Sequence, residues 1–437
     1  MKLLIIDIEG DGLDLALRAQ AWGHEVRLFI APDKGTGERK PVGDGLVKRV
    51  NQWEPSMNWA DLIFVAYNTK YIHNLEGYRD RGYPIIGPNK ETTLWERDRE
   101  CGQEVLRAAG IETIPYQSFT KYQEARAYVV KNKKRLVSKP NGDVCKAQSY
   151  VSKSSKDMAF MLDKWHKEGK LKSEFILQDF IPGIEFAVGG FFGPAGFSEY
   201  FMENFEHKKL MNDERGVNTG EMGTVLKYTK SSKLAEEMLK PLEGALYRAG
   251  HTGYIDVSVL IDEKGKPWPM EFTSRPGWPL DQIRLALETT DPIQWMADLL
   301  EGRDTFKPSL DVATGVVVTI PPFPYGKIPI EECCGFPLYG ITPENSDSVH
   351  FIECMLGEAP GDNPTLANED CVVTAGTLIY VATGTAKTVS KSAEKAYKVV
   401  DSIELPNSPG YRTDIGCRLE KQLPKLQKHG YCLDWVY

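Results

Sequence analysis

The sequence predicts a mixed protein, α/β in its first part and α+β beyond, on three observations. Over residues 1–95 strand-like apolar runs alternate with helical patterns. In the middle, a charged stretch runs into closely spaced glycines at 206–223. From residue 314 onward short apolar strands dominate until one late helix. These divide the chain into an N-terminal α/β domain at 1–95, a central region at 96–313 holding a lid at about 117–188, and a strand-rich C-terminal domain at 314–437. The length agrees, because 437 residues exceed what one hydrophobic core usually serves.

In the first part LLIIDI, EVRLFIA, DLIFVAY and YPIIGP read as strands, with helices expected over 14–22 and 71–81. That order implies a small parallel sheet covered by helices. The turn Glu9-Gly10-Asp11-Gly12 can bend a strand into a helix, but it is not GxGxxG, and Glu9, Asp11 and Asp14 would repel a phosphate. No dinucleotide site is expected there. Val105, Leu106 and Ala109 fit an amphipathic helix over 96–110 closed by Gly110. The lid should hold helices at 122–131 and 157–169 and the strands RLVSKP and FILQDF, with a glycine-containing turn at 141–143. A helix over 232–249 then leads into the hairpin YIDVSVLIDEKGKPWPMEF, whose turn falls at 262–265. The last block offers the strands GVVVTIPP, FIECML and CVVTAGTLIYVAT, and a helix packing Ala393, Ala396, Val399, Val400 and Ile403.

A content of 41% hydrophobic and 26% charged residues is that of an ordinary globular protein. The net charge of -8 argues against a general nucleic-acid surface, and the one dense basic run, 131–135, reads as a solvated turn. The N-terminus lacks the pattern of a secretion signal, and no apolar run reaches membrane-spanning length, so a cytoplasmic protein that touches no membrane is expected. Of eight cysteines only Cys333 and Cys334 adjoin, which is neither a zinc spacing nor a redox CxxC. Free thiols are the expectation.

Chemistry concentrates in four segments. Gly216, Gly220 and Gly223 are too close for a helix and suit a loop that brings backbone N–H groups to an anion, or else a plain surface turn. Lys139, at the end of an apolar strand, and Lys146 beyond it could converge on nucleotide phosphates, or simply cap the strand in solvent. QDFIPGIE, from Gln178 through Asp179 to Glu185, reads as a hinge whose backbone can meet an adenine edge while Glu185 accepts from ribose hydroxyls, or as a bare hairpin turn. Glu271 sits between hydrophobic neighbours, where an unpaired carboxylate is costly and a hard cation such as Mg²⁺ would keep it charged. Asp256 and Ser258 share one side of the facing strand, and Arg275 offers a planar fork for a carboxylate or phosphate. The competing reading is an Arg275–Glu271 ion pair without metal.

In this order the pieces resemble the ATP-grasp ligases, and among them the phosphoribosylamine–glycine ligase family of purine synthesis. FEHKK followed by GVNTGEMG is similar to that family's DHKR and GPNTGGMG; Gly253 to Arg275 is similar to its strand-turn-strand ending in EFNxR; YRTDIGCR is similar to its RxDIGxR. The resemblance covers almost the whole chain. It implies an ATP-grasp fold with a small parallel-sheet domain in front, and an enzyme that uses ATP and Mg²⁺ or Mn²⁺ to turn a carboxylate into an acyl phosphate, which an amine attacks. On the matching positions it implies catalytic roles for Arg275, Lys139 and Asn218. Lys139, Lys146, Gln178, Asp179, Glu185 and Lys208 would bind nucleotide, and Glu271, Thr273 and Asp256 the metal. Asn218, Thr219, Gly220, Met222, Arg275, Arg412 and Asp414 would bind substrate. The implied partners are small molecules, an amino acid and an amine, on a monomer or small homo-oligomer.

The departures cluster on one side. The family's GGREHA-like first turn is Gly12-Leu-Asp-Leu-Ala here, its GPEAPL-like loop is replaced at 66–72, the Asn of EFN is Thr273, and GDPE is replaced by Gly277-Trp-Pro-Leu. The expectation is a ligase that keeps glycine or a similar small amino acid as carboxylate donor while changing its amine acceptor. A non-catalytic ATP-binding module is the alternative, favoured by Thr273 and the lost GDPE. A third reading is a ligase nearer the wider superfamily, since Arg275-Pro-Gly resembles the RPG of other amino-acid ligases.

Overall fold

The computed structural model describes residues 1–68, 70–140, 149–169, 174–326, 329–361 and 367–437. The N-terminal part forms a five-stranded parallel sheet in the order Arg49–Val50, Glu25–Ile30, Lys2–Asp7, Leu62–Val65, Ile85–Ile86. Strand alternation sends Leu3, Ile5, Leu28 and Phe64 into the main core and Leu4, Ile6, Phe29 and Ile63 into a second, smaller one on the other face. Both faces are covered, which is why these strands read as unbroken apolar runs. Asp7 fixes the first turn by accepting the Gly12 N–H at 2.7 Å, and helix Leu13–Ala21 follows.

The single helix expected over 96–110 is two, Lys90–Arg97 and Arg99–Ala108. Asp98 separates them: it is extended, and its carboxylate accepts the N–H groups of Glu100 (3.0 Å) and Cys101 (3.2 Å). The helix expected over 232–249 is likewise interrupted. Lys233–Met238 and Glu243–Ala249 flank a 3₁₀ turn at Lys240–Leu242, because Pro241 has no N–H to continue the α-helical ladder.

The lid is a four-stranded antiparallel sheet in the order Tyr116–Phe119, Phe175–Asp179, Leu136–Pro140, Tyr150–Val151, with helices Tyr122–Asn132 and Ser155–Lys167. It owns a separate core built on Phe119, Leu136, Leu162, Trp165 and Phe175. The central sheet has eight antiparallel strands, in the order Pro267–Thr273, Gly253–Asp262, Gly183–Gly193, Gly196–Glu206, Gly223–Thr229, Val312–Thr319, Leu378–Ala386, Val349–Phe351.

The boundary expected at 313/314 therefore falls inside a strand. Val312–Thr319 pairs with Gly223–Thr229 on one side and Leu378–Ala386 on the other, so the central and C-terminal parts share one sheet and one core. Helix Val389–Ser402 packs on that sheet through Val389, Ala396 and Val400.

Candidate active site

Lys139 stands on lid strand Leu136–Pro140 opposite Ile176. Strand alternation puts Val137 on the same face, and with it the partner of Val137, Gln178. Gln178 is buried, and its Nε2 has no partner among the described residues. Asp179 falls on the other face, where its carboxylate lies 2.8 Å from Lys134 Nζ. The Asp179 side chain is therefore engaged in an ion pair on the face opposite Lys139. Lys146 and the turn at 141–143 lie outside the described residues.

Facing Lys139, the central sheet supplies a compact set of charges. Lys208, just past strand Gly196–Glu206, sits 2.7 Å from both Glu185 and Glu206 and 3.9 Å from Glu271. Burial opposes its charge, yet these three carboxylates hold its ammonium well above the usual lysine range. Glu271 is bonded by Arg99, at the start of the second of the paired helices. Arg99 foremost, then Lys208 and Lys139, keep Glu271 below the usual carboxylate range against the effect of burial. Lys139 bears the cost of this crowding: burial first, then Arg99 and Lys208, push its ammonium down to about 8, with Glu271 and Glu185 opposing.

Hairpin register explains the company around Glu271. Ser258 pairs with Glu271 and Asp256 with Thr273, so these four side chains share one face. Asp256 is buried, and burial, then Glu206, push its carboxyl well above the usual range. Hard oxygen donors beside displaced carboxylate charge suit Mg²⁺. Among the described residues no three Asp, Glu, His or Cys side chains converge on a metal site of their own.

The Arg275–Glu271 pair of the competing reading does not form. Arg275 lies 3.5 Å from Glu96, which also accepts the N–H (2.8 Å) and hydroxyl (3.1 Å) of Ser274. Its guanidinium is 5.3 Å from the centroid of the Tyr67 ring.

The glycine-bearing stretch forms a small hairpin, Lys209–Met211 with Arg215–Asn218, and then folds back. Thr219 secures the return by donating its N–H (2.8 Å) and hydroxyl (3.0 Å) to the Lys208 carbonyl. Asn218 is exposed opposite Lys209. Gly220 meets Trp278 so closely that a Cβ would stand 3.2 Å from the indole Cδ1. The side chain of Met222 is buried, and its backbone bonds to those of His207 and Val317.

Arg412 and Asp414 are bound into the protein itself. Arg412, 1% exposed, donates to Asp414, to Glu214 and to the Lys209 carbonyl. Asp414 also accepts the Asp213 N–H at 2.9 Å. Further along, the Gly416 N–H donates to His207 Nε2 at 3.2 Å, and Arg418 bonds the Glu206 carbonyl. The whole YRTDIGCR segment braces the loop at 206–215 from behind. Arg99, Glu96 and Glu206 escaped sequence reasoning. The missed signal for Arg99 was the Asp98 cap, which starts a new helix at that residue.

A lid closing over a hairpin-bearing antiparallel sheet, with lysines from both sides meeting a strand carboxylate, defines an ATP-grasp architecture. Residues 98–279 match the family model described as phosphoribosylglycinamide synthetase, ATP-grasp (A) domain. Over more of its length the chain is similar to phosphoribosylamine–glycine ligases. It is 25% identical to that of Ralstonia nicotianae, over 78% of this chain and 80% of the relative. It is 24% identical to that of Streptococcus pneumoniae, over 96% and 100%. In fold it is similar to the crystal structure of the Thermotoga maritima phosphoribosylamine–glycine ligase, with a TM-score of 0.72 at 17% identity over 95% of this chain and 100% of that one. The N5-carboxyaminoimidazole synthetase of Staphylococcus aureus complexed with ADP gives a TM-score of 0.57 at 13% identity, over 92% and 97%.

Proposed function

We propose that this protein is an ATP-dependent carboxylate–amine ligase of the phosphoribosylamine–glycine ligase type, forming an amide through an acyl phosphate with release of ADP and phosphate. The observation that carries this is the meeting of Lys139, Lys208 and Arg99 around Glu271 and Glu185, between lid and central sheet. Glycine or a similar small amino acid serves as carboxylate donor. The cytoplasm is the natural setting, in keeping with the free thiols of the seven described cysteines. No helix of the described residues is long and apolar enough to cross a membrane.

In this reading Lys139 and Lys208 orient the phosphates, and their charge stabilises the phosphoryl group as it moves to the carboxylate oxygen. Gln178, with its unused donor, faces the base, and Glu185 the ribose. Glu271, with Thr273 and Asp256 beside it, would hold Mg²⁺ or Mn²⁺, which when bound offsets phosphate charge. Arg275, kept rigid by Glu96, grips the carboxylate substrate. Asn218, Thr219 and Gly220 close over the activated acid and exclude the water that would hydrolyse it.

The test is ADP release with a panel of small carboxylates, together with hydroxylamine as a trap for the acyl phosphate. Carboxylate-dependent hydroxamate is the expected product. ATP binding without hydroxamate for any carboxylate would reject the ligase reading.

A further inference from the structure

A second polar region lies at the carboxyl end of the N-terminal sheet. Strand Lys2–Asp7 has Glu25–Ile30 on one side and Leu62–Val65 on the other, so its connections depart in opposite directions. Such a switch point opens a crevice beyond the strand ends. The turn at 9–12 follows one of these strands, and Tyr67 and Asn68 follow the other. Helix Leu280–Leu285 closes on the same turn: Gln282 Nε2 donates to the Asp11 carbonyl at 2.8 Å. Gln282 is 1% exposed, and this bond leaves its Oε1 with no partner among the described residues.

The charges of this crevice are unevenly committed. Asp7 caps its own turn through the N–H groups of Gly12 and Glu9, Glu9 is paired with Lys40, and Glu353 accepts the N–H groups of Thr377 and Leu378. Arg275 is held by Glu96 and lies against Tyr67. Asp11 is half-buried, and no donor among the described residues reaches its carboxylate. Burial, then Asp7, with Glu9 and Glu353 behind it, push its carboxyl well above the usual range, and Arg275 opposes them. An anionic ligand would meet Arg275 and Lys40, both already paired, and several carboxylates. A cationic ligand would relieve Asp11 and give the Gln282 oxygen its missing donor.

We propose that this crevice seats the amine acceptor through a positively charged group held between the Asp11 carboxylate and Gln282 Oε1, so that the acceptor is a small cationic amine without phosphate, an alkyl diamine being the simplest. The inference rests on the ligase reading and names the acceptor class for it. The experiment uses the full-length protein with ATP and its best carboxylate, comparing hydroxylamine with putrescine, lysine, ethylamine and freshly generated phosphoribosylamine. Putrescine or lysine should give the highest kcat/KM. Asp11→Asn should raise the diamine KM roughly 10²-fold relative to that for hydroxylamine, as expected when one member of a desolvated charge pair is neutralised. Calorimetric titration of putrescine into wild type and Asp11→Asn should show the same loss. Phosphoribosylamine as best acceptor, ethylamine matching putrescine, or an unchanged diamine KM in Asp11→Asn would overturn the proposal. Hydroxamate formed while these fail rejects the acceptor class alone; absence of hydroxamate rejects the ligase reading and this inference with it.

Discussion

Where the lid faces the central sheet, cations and carboxylates alternate within bonding distance: Lys208 between Glu185 and Glu206, and Arg99 on Glu271 with Lys139 close by. Where the N-terminal sheet faces Arg275, carboxylates outnumber cations, and Asp11 is left without a donor among the described residues. The first arrangement is built across two structural units and tolerates little change, because each charge is kept by its neighbours. The second hangs on short turns after strands, where one substitution alters the chemistry without disturbing a core. On the proposed reading, activation and acceptor choice are therefore separable in this fold.

The largest effect should come from the phosphate side. Glu271→Gln keeps volume but removes the charge facing Arg99, Lys208 and Lys139, and steady-state ADP formation should fall by roughly 10²-fold or more with the circular dichroism spectrum unchanged. Full activity in that variant would break the contrast between the two regions.

Lys139 sharpens the contrast through pH. Its ammonium is held down to about 8, so the charge is present below that value and shed above it. Nucleotide affinity of the free protein should fall as pH rises through that value, approaching about tenfold per pH unit at the steep limit. Lys139→Ala should bind nucleotide weakly at pH 7 and show a flat profile. Equal profiles in isothermal titration would remove Lys139 from the phosphate site.

Arg412→Ala probes the brace rather than the chemistry. It removes the buried guanidinium shared by Asp414 and the exposed Glu214, and urea unfolding should show a loss of about 2 kcal/mol. The smallest effect belongs to Lys131→Ala, an exposed residue of helix Tyr122–Asn132, which should leave stability and ADP formation within error of wild type.

Part of the charge cluster between lid and central sheet was legible in the sequence because it is local. The glycines at 216, 220 and 223 rule out a helix, and the hairpin from Gly253 to Thr273 announces its turn at 262–265, while the bulge that shifts the register between Val259 and Ser258, and so pairs Ser258 with Glu271, could not be read from that turn. Period-2 alternation placed Asp256 with Ser258 correctly, and it also explains why Asp179 faces away when Gln178 faces in. The Arg99–Glu271 bond could not be read, since 172 positions separate its members and only packing of the helix on the hairpin joins them. Met222 and Arg412 stand out by position in a motif, but their burial, and the bonds Arg412 makes to Asp414, Glu214 and the Lys209 carbonyl, depend on packing that sequence spacing does not carry.

Strand Val312–Thr319, buried along its whole length, acts as a splice between parts of the chain that look separable in sequence. A shortened form ending before it would bare the edge of Gly223–Thr229, an open row of N–H and C=O groups on an apolar strand. Such an edge pairs with other chains, so truncation there should yield insoluble aggregate instead of a smaller working enzyme. A cut in an exposed connection nearby, with both pieces retained, should by contrast leave the sheet closed and the protein soluble.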